Sequence, residues 1–234
     1  MLNNVAIIPA RGGSKRIPKK NIKKFLGKPI IGITIEKAIQ SKLFSRIVVT
    51  TDDDEIANIA KLYGAEIPFL RPKKLSDDFT GTIEVVSHAI DALSSLGRNF
   101  EYACCLYPCA PFIRVEDLLA TYNLLRDSGG EFSFPATEYA TSIFRSFEKK
   151  ENGVLQMIYP EHYSSRSQDL KSIFHDAGQF YWGTTKAWTT SSRIFSDKAY
   201  PYIVPRWRVQ DIDNEDDWMR AELIAQSLSN LKIL

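Results

Sequence analysis

The 234-residue sequence is poor in the side chains that most often carry redox, soft-metal or imidazole chemistry: it has 3 cysteines, 3 histidines and 3 methionines. Cys104, Cys105 and Cys109 are an odd number and lack the paired CxxC spacing of a zinc site. They are expected to be reduced packing residues. His88 falls mid-helix and is expected to be structural. No run approaches the roughly 18 consecutive apolar residues that span a bilayer. The opening Met1-Leu-Asn-Asn leads into a strand-like segment without a basic n-region or cleavage site. The expectation is a cytoplasmic protein, neither secreted nor embedded. Trp182, Trp188, Trp207 and Trp218 are too scattered for a base-stacking platform, and a net charge of +2 argues against a dedicated nucleic-acid binder.

Negative charge is also missing locally. Between Met1 and Ile35 there is no acidic residue, yet Arg11, Lys15, Arg16, Lys19, Lys20, Lys23, Lys24 and Lys28 all fall there. A positive field concentrated in one loop suits a compact polyanion such as a triphosphate.

What is abundant is alternation. Val5 to Pro9 is a short apolar run ended by proline and then Gly12-Gly13, the form of a buried strand feeding a loop. Helical spacing over 30–42 follows, then a strand over 46–51, then acids at 52–54 that favour a helix start. The pattern predicts a helix over 55–63, strands at 66–70 and 102–107, and helices at 82–95 and 114–127. This alternation predicts a doubly wound, Rossmann-like α/β domain with a mostly parallel sheet, formed by residues 1–234 as one catalytic unit. Ligands in such sheets sit beyond the carboxyl ends of the strands, where the basic loop, the Thr51-Asp52 turn and the 108–111 loop would converge. From 131 to about 175 the pattern breaks into short aromatic and polar pieces, read as an extended arm, and 176–183 looks like a return to the sheet. An amphipathic segment over 215–231 ends the pattern.

The strongest local signal is Pro9-Ala-Arg-Gly-Gly-Ser-Lys-Arg-Ile-Pro-Lys-Lys-Asn21. Gly12 and Gly13 let the backbone turn tightly and offer N–H groups to phosphate oxygens, while Arg11, Lys15 and Lys20 neutralise charge. Neither GxGxxG nor GxxxxGK[ST] is present, which disfavours a hydride-transferring Rossmann enzyme and a P-loop NTPase. Asp211 and Asp213 are two residues apart, so on an extended strand they share a face and could hold one hard cation. The same stretch also reads as a helix start, with Asp213 or Asn214 as cap and Glu215 to Asp217 in the first turn.

Residues 9–21 resemble the signature of the CMP-acid-sugar synthetases, the family that includes CMP-sialic acid synthetase. Gly27-Lys-Pro29, Thr50-Thr-Asp-Asp-Asp-Glu-Ile-Ala57, Arg71-Pro-Lys-Lys-Leu-Ser76 with Asp78, and Val209-Gln-Asp-Ile-Asp213 resemble later family motifs in order, over nearly the whole chain. The resemblance implies a nucleotide-diphospho-sugar transferase-like fold and transfer of CMP from CTP to an acidic nine-carbon sugar. It implies CTP binding by Arg11, Gly12, Gly13, Ser14, Lys15 and Asn21, with Arg71 near the cytosine and Thr80 and Thr82 toward base and ribose. It implies Mg2+ on Asp211 and Asp213, with Arg11, Lys15 and Asp211 as the catalytic groups. For the sugar it implies Tyr107, Arg166, Gln168, His175, Gln179 and Tyr181, and it implies a homodimer in which the arm is exchanged.

Two departures bear on the sugar. Where sialic acid enzymes carry Gln-Pro-Thr-Ser-Pro this chain has Tyr107-Pro-Cys-Ala-Pro111, and Ala177 replaces their asparagine. Glu161-His, Arg166-Ser-Gln-Asp-Leu170, His175-Asp-Ala-Gly-Gln-Phe-Tyr-Trp-Gly183 and Arg208-Val-Gln-Asp-Ile-Asp213 in combination look most like the branch acting on pseudaminic acid. Sialic and legionaminic acids remain alternatives, as does a non-catalytic sensor that binds CTP and releases no pyrophosphate.

Overall fold

Alternating burial on single strands decides the layering. The computed structural model describes residues 3–231. On β1 (Asn4–Pro9), Ala6 and Ile8 face one helical layer while Val5 and Ile7 face the other. β2 (Arg46–Thr50) divides in the same way, Val49 to the first layer and Val48 to the second. The first layer is α1 (Ile30–Ser41), α2 (Asp54–Leu62) and α4 (Val115–Ser128). The second is α3 (Thr82–Ser95) with the short α5 (Thr185–Thr190). Both faces of the sheet are therefore covered, the condition under which strands read as apolar runs.

The remaining sheet strands are β3 (Tyr102–Leu106), β4 (Phe132–Glu138), β5 (Phe174–Asp176), β6 (Phe180–Thr184) and β7 (Ala199–Ile203). Their order is β7-β4-β6-β3-β1-β2, with β5 pairing β4. β1, β2, β3, β4 and β7 run one way, and β5 and β6 run against them. The sheet is thus mostly parallel, as the alternation predicts. α6 (Glu215–Asn230) packs Trp218, Ala221 and Ala225 against Ile17, Phe25 and Ile30, closing the basic loop onto the domain.

Two expectations change. Only Glu66 of the 66–70 segment bridges Val48, because Pro68 cannot supply the N–H that would extend the ladder. The segment starting at 131 is not all arm. Phe132–Glu138 is a buried strand of the main sheet, and the projecting part begins after it, with a hairpin of Phe147–Lys149 and Leu155–Met157. Pro135 sits inside that strand at a position that tolerates it. β6 pairs β4 at Phe132 and Ser133, and β5 takes over at Ala136, Thr137 and Glu138. The Pro135 carbonyl accepts from Ala177 N at 2.8 Å, so its missing N–H faces the break between β5 and β6. Gly178, at φ +61°, turns the chain there.

Cys104 and Cys105 are fully buried packing residues, and burial pushes the Cys109 thiol up to about 12. His88 stacks edge-on against Phe69, and burial lowers its pKa. Among the described residues no helix is long and apolar enough to cross a membrane.

Gly183 shows how tightly the second layer is filled: a Cβ there would lie 2.6 Å from Trp188 Nε1 and 2.8 Å from Phe132 Cδ1. Trp188 Nε1 already donates to the Ala103 carbonyl at 3.0 Å. Gly183→Ala should cost about 1–3 kcal/mol by overpacking, read as a lower urea midpoint with an unchanged m-value.

Candidate active site

The loop after β1 is held by its own side chains before any ligand is considered. Gly12 N donates to Asp52 Oδ1 at 3.0 Å, and a Cβ on Gly12 would meet Asp53 Oδ2 at 2.6 Å, so only glycine allows this approach. Asp53 caps α2 by accepting from Ile56 N at 2.9 Å, which fixes the opposing turn. Buried Asn21 donates to the Arg11 carbonyl at 2.9 Å and accepts from Cys109 at 3.3 Å. Its amide braces the loop and also forms part of the cleft wall.

Beyond the carboxyl ends of β1 and β3 lies a cleft of two adjoining lobes. Arg11, Ser14, Lys15, Arg71, Thr80 and Thr82 line the first, together with Tyr107. Asp176, Arg206 and Arg220 line the second, with His175 beside them. Arg16, Gly178, Asp211 and Asp213 belong to both. The two carboxylates therefore stand at the junction.

In the first lobe the cations converge on one acid. Arg11 Nη1 lies 2.6 Å from Asp78 Oδ1 and Lys15 Nζ 2.6 Å from Asp78 Oδ2, and the two cations hold that carboxyl below its ordinary value. A fork that grips a carboxylate in this way can grip a phosphate. Arg71 differs. It is buried, its Nε and Nη2 have no partner in the protein, and desolvation lowers its pKa. Unpaired buried donors are costly, and because Arg71 lines the cleft its guanidinium is placed to meet an acceptor that a ligand brings. Thr80 Oγ1 bonds Asp77 Oδ1 at 2.7 Å, and Thr82 Oγ1 bonds Tyr107 Oη at 2.8 Å.

At the junction, Asp213 meets Arg16 at 3.0 Å and Lys20 at 3.6 Å, and Lys20 Nζ donates to the Ile212 carbonyl at 2.6 Å. Asp211 opens on the cleft, yet the protein packed around it and the charge of Asp213 raise its pKa. Asn214, not Asp213, caps α6, accepting from Asp217 N at 2.9 Å. The capping reading thus belongs to Asn214 and Asp217, and Asp213 is left to face the cleft. Among the described residues no group of three or more His, Cys, Asp or Glu forms a protein-only metal cage. Two carboxylates fit an ion such as Mg2+, which takes its other oxygens from water and phosphate.

The sugar-side candidates do not all meet. Tyr181 Oη donates to Asp176, and its ring lies 5.5 Å from that of Tyr107. His175 Nδ1 is 2.8 Å from the Asp176 carbonyl. Gln179, by contrast, is buried away from both lobes and donates to the Arg208 carbonyl at 2.8 Å. Arg166 lies on the projecting segment with its fork closed on Asp169, at 2.7 and 3.2 Å, and lines neither lobe of its own chain. Gln168 lines a side recess with Tyr139 and Arg206. Sequence reasoning missed Arg206 and Arg220, which sit in no motif, and the gripping role of Asp78.

Comparison with known proteins now bears on this geometry. The cytidylyltransferase family model matches residues 5–179, which include the basic loop, Arg71, Thr80, Thr82 and Tyr107. The chain belongs to the cytidylyltransferase family. It is 44% identical over 223 residues, 95% of this chain and 96% of the relative, to a pseudaminic acid cytidylyltransferase of Campylobacter jejuni. It is 30% identical over 230 residues, 95% of this chain and 96% of the relative, to the CMP-N,N'-diacetyllegionaminic acid synthase of Legionella pneumophila. In fold it is similar to a CMP:2-keto-3-deoxy-manno-octonic acid synthetase, with TM-score 0.71, 16% identity, and coverage of 96% of this chain and 99% of the other. The doubly wound architecture of a cytidylyltransferase is therefore the fold observed.

For this cytidylyltransferase, Arg71→Leu removes the guanidinium that lacks partners. It should weaken CTP binding by about 1.5–3 kcal/mol, one to two orders of magnitude in Kd, with no loss of folding stability. Calorimetric CTP titration together with thermal melting checks both.

Proposed function

We propose that this cytidylyltransferase transfers CMP from CTP to the anomeric hydroxyl of a nonulosonic acid, with pseudaminic acid the preferred acceptor. The observation that carries the reading is the two-lobed cleft whose lobes share Asp211 and Asp213. One lobe offers the Arg11 and Lys15 cations, which together grip one carboxylate, the other offers mixed hydrogen-bonding groups, and the reacting atoms of two substrates would meet between them. The similarity to the pseudaminic acid enzyme over nearly the full length, with Tyr107 and Ala177 in place of the glutamine and asparagine of sialic acid enzymes, supports that acceptor over the others.

In this mechanism the anomeric hydroxyl loses its proton to solvent as its oxygen attacks the α-phosphorus in line, the bond from that phosphorus to the α–β bridging oxygen breaks, and pyrophosphate departs on the far side. Arg11 and Lys15 exchange Asp78 for phosphate oxygens and stabilise the charge that builds on the leaving group. Backbone N–H groups of the Gly12-Gly13 turn, with Ser14, add donors to the phosphates. Arg71 receives the base, and Thr82 and Thr80 border the base and ribose. Asp211 and Asp213 would hold Mg2+, which neutralises phosphate charge and lowers the pKa of a hydroxyl bound to it. His175 and Asp176 line the side on which the sugar sits, and buried Tyr181 fixes the Asp176 carboxylate from behind by donating its hydroxyl to it. The chain acts in the cytoplasm, where CTP is made available to it. Exposed Phe147, Leu155, Ile158 and Tyr163 on the projecting segment support a homodimer, in which Arg166 and Gln168 would serve the partner's sugar lobe.

Pyrophosphate release from CTP and Mg2+ should be measured with pseudaminic, legionaminic and N-acetylneuraminic acids in parallel. The expected result is release with pseudaminic acid in preference to the others, and none without sugar. Release with another acid alone would keep the reaction and replace the acceptor. Binding of CTP with no release in any arm would support the sensor instead. Asp211→Asn should lower kcat at least about 100-fold, the effect of several kcal/mol of lost charge stabilisation, with little change in melting temperature.

A further inference from the structure

We propose that Asp117, Arg208 and Gln179 form a buried strut whose task is to hold Asp211 and Asp213 at the spacing that binds a divalent cation. The inference rests on the cation reading above and goes beyond it, since none of the three touches the cleft.

Arg208 ends the short turn of Arg206–Arg208, three positions before Asp211. Its Nη2 lies 3.0 Å from Oδ1 and 2.9 Å from Oδ2 of Asp117 on α4. The exposures are 9% and 6%, whereas every other ion pair among the described residues has both partners at least partly exposed. From the opposite side Gln179 Nε2 donates to the Arg208 carbonyl at 2.8 Å. One end of the carboxylate segment is thereby fixed to both α4 and the sheet.

The other end is fixed by α6. Asp217 Oδ2 accepts from Asp213 N at 3.0 Å and Asn214 N at 3.1 Å. Gln210 Nε2 donates to the Asp211 carbonyl at 2.7 Å, folding the backbone between the two anchors. Asp211 and Asp213 repel one another, and a segment free to relax would separate them. Two anchors prevent that, and only one of them is a helix cap that the fold requires anyway.

The strut is a poor source of stability. A buried ion pair returns little over well-packed apolar residues, and here Arg208 Nε and Gln179 Oε1 are buried without partners, which costs further. Its return lies in geometry: groups that orient ligating side chains from behind typically change metal affinity by about 10–100-fold.

The test uses Mn2+ as a paramagnetic probe on the full chain with CTP bound, reading free Mn2+ by its resonance signal. Asp117→Asn and Gln179→Leu should each raise the Mn2+ Kd about 10–100-fold. They should raise the Mg2+ concentration for half-maximal pyrophosphate release by the same factor, leaving KM for CTP at saturating Mg2+ unchanged. If Asp117→Asn does not fold, the paired substitution Asp117→Leu with Arg208→Met keeps the volume apolar and should fold yet show the same metal defect. A fall in melting temperature with unchanged Mn2+ affinity would overturn the strut. Failure of the unsubstituted protein to bind Mn2+ would instead overturn the cation reading, and the strut with it.

Discussion

Eight cations and no acid in the first thirty-five residues leave any carboxylate that meets this segment to come from elsewhere in the chain. The structure meets this constraint piece by piece. Arg11 and Lys15 take Asp78, Arg16 and Lys20 take Asp213, Lys19 takes Glu55, and Lys23 takes Glu215 while lying over the Trp218 ring at 4.5 Å. The α2 start, the 77–80 turn and the α6 start are all drawn to one loop by the same requirement. Because these acids come from the carboxyl-end side of the sheet, neutralising the loop also builds the walls of the cleft.

The sheet contributes a break. β4 passes from β6 to β5 as partners around Pro135, and the Ala177-Gly178 turn opposite brings Gly178 within 3.7 Å of the Asp211 side chain when a Cβ is placed on it. A continuous strand there would have carried every side chain to one of the two faces. The break places Asp176 and Gly178 beside the carboxylate junction, so the irregularity is what lets a covered, mostly parallel sheet open a second lobe.

Much of this was legible. Apart from the 66–70 segment, the strands and helices from Val5 to Ser128 follow from apolar spacing, and residues of the basic loop, Arg71, Asp211 and Asp213 line one cleft. The effect of a proline on a strand depends on which way its missing N–H faces: at Pro68 it faces β2, and the predicted 66–70 strand stops at Glu66. In β4 that direction is a break, and in β7 it is the open edge of the sheet, so both remain strands. Polar type is similarly silent about where a side chain spends its hydrogen bonds. Gln179 looks like a ligand-reading residue in sequence, yet its amide is committed to the Arg208 carbonyl.

Exposure finally sorts the charges by how easily they exchange partners. A solvent-exposed pair such as Lys15 with Asp78 is screened by water, so in the proposed mechanism a triphosphate would displace the carboxylate at small cost. Arg208 with Asp117 is out of reach of water, and separating it would leave two uncompensated buried charges. On the proposed mechanism, the exposed pairs of Arg11 and Lys15 with Asp78 are the replaceable ones, at the lobe that phosphates would enter, and the buried Arg208–Asp117 pair is the permanent one, behind the two carboxylates.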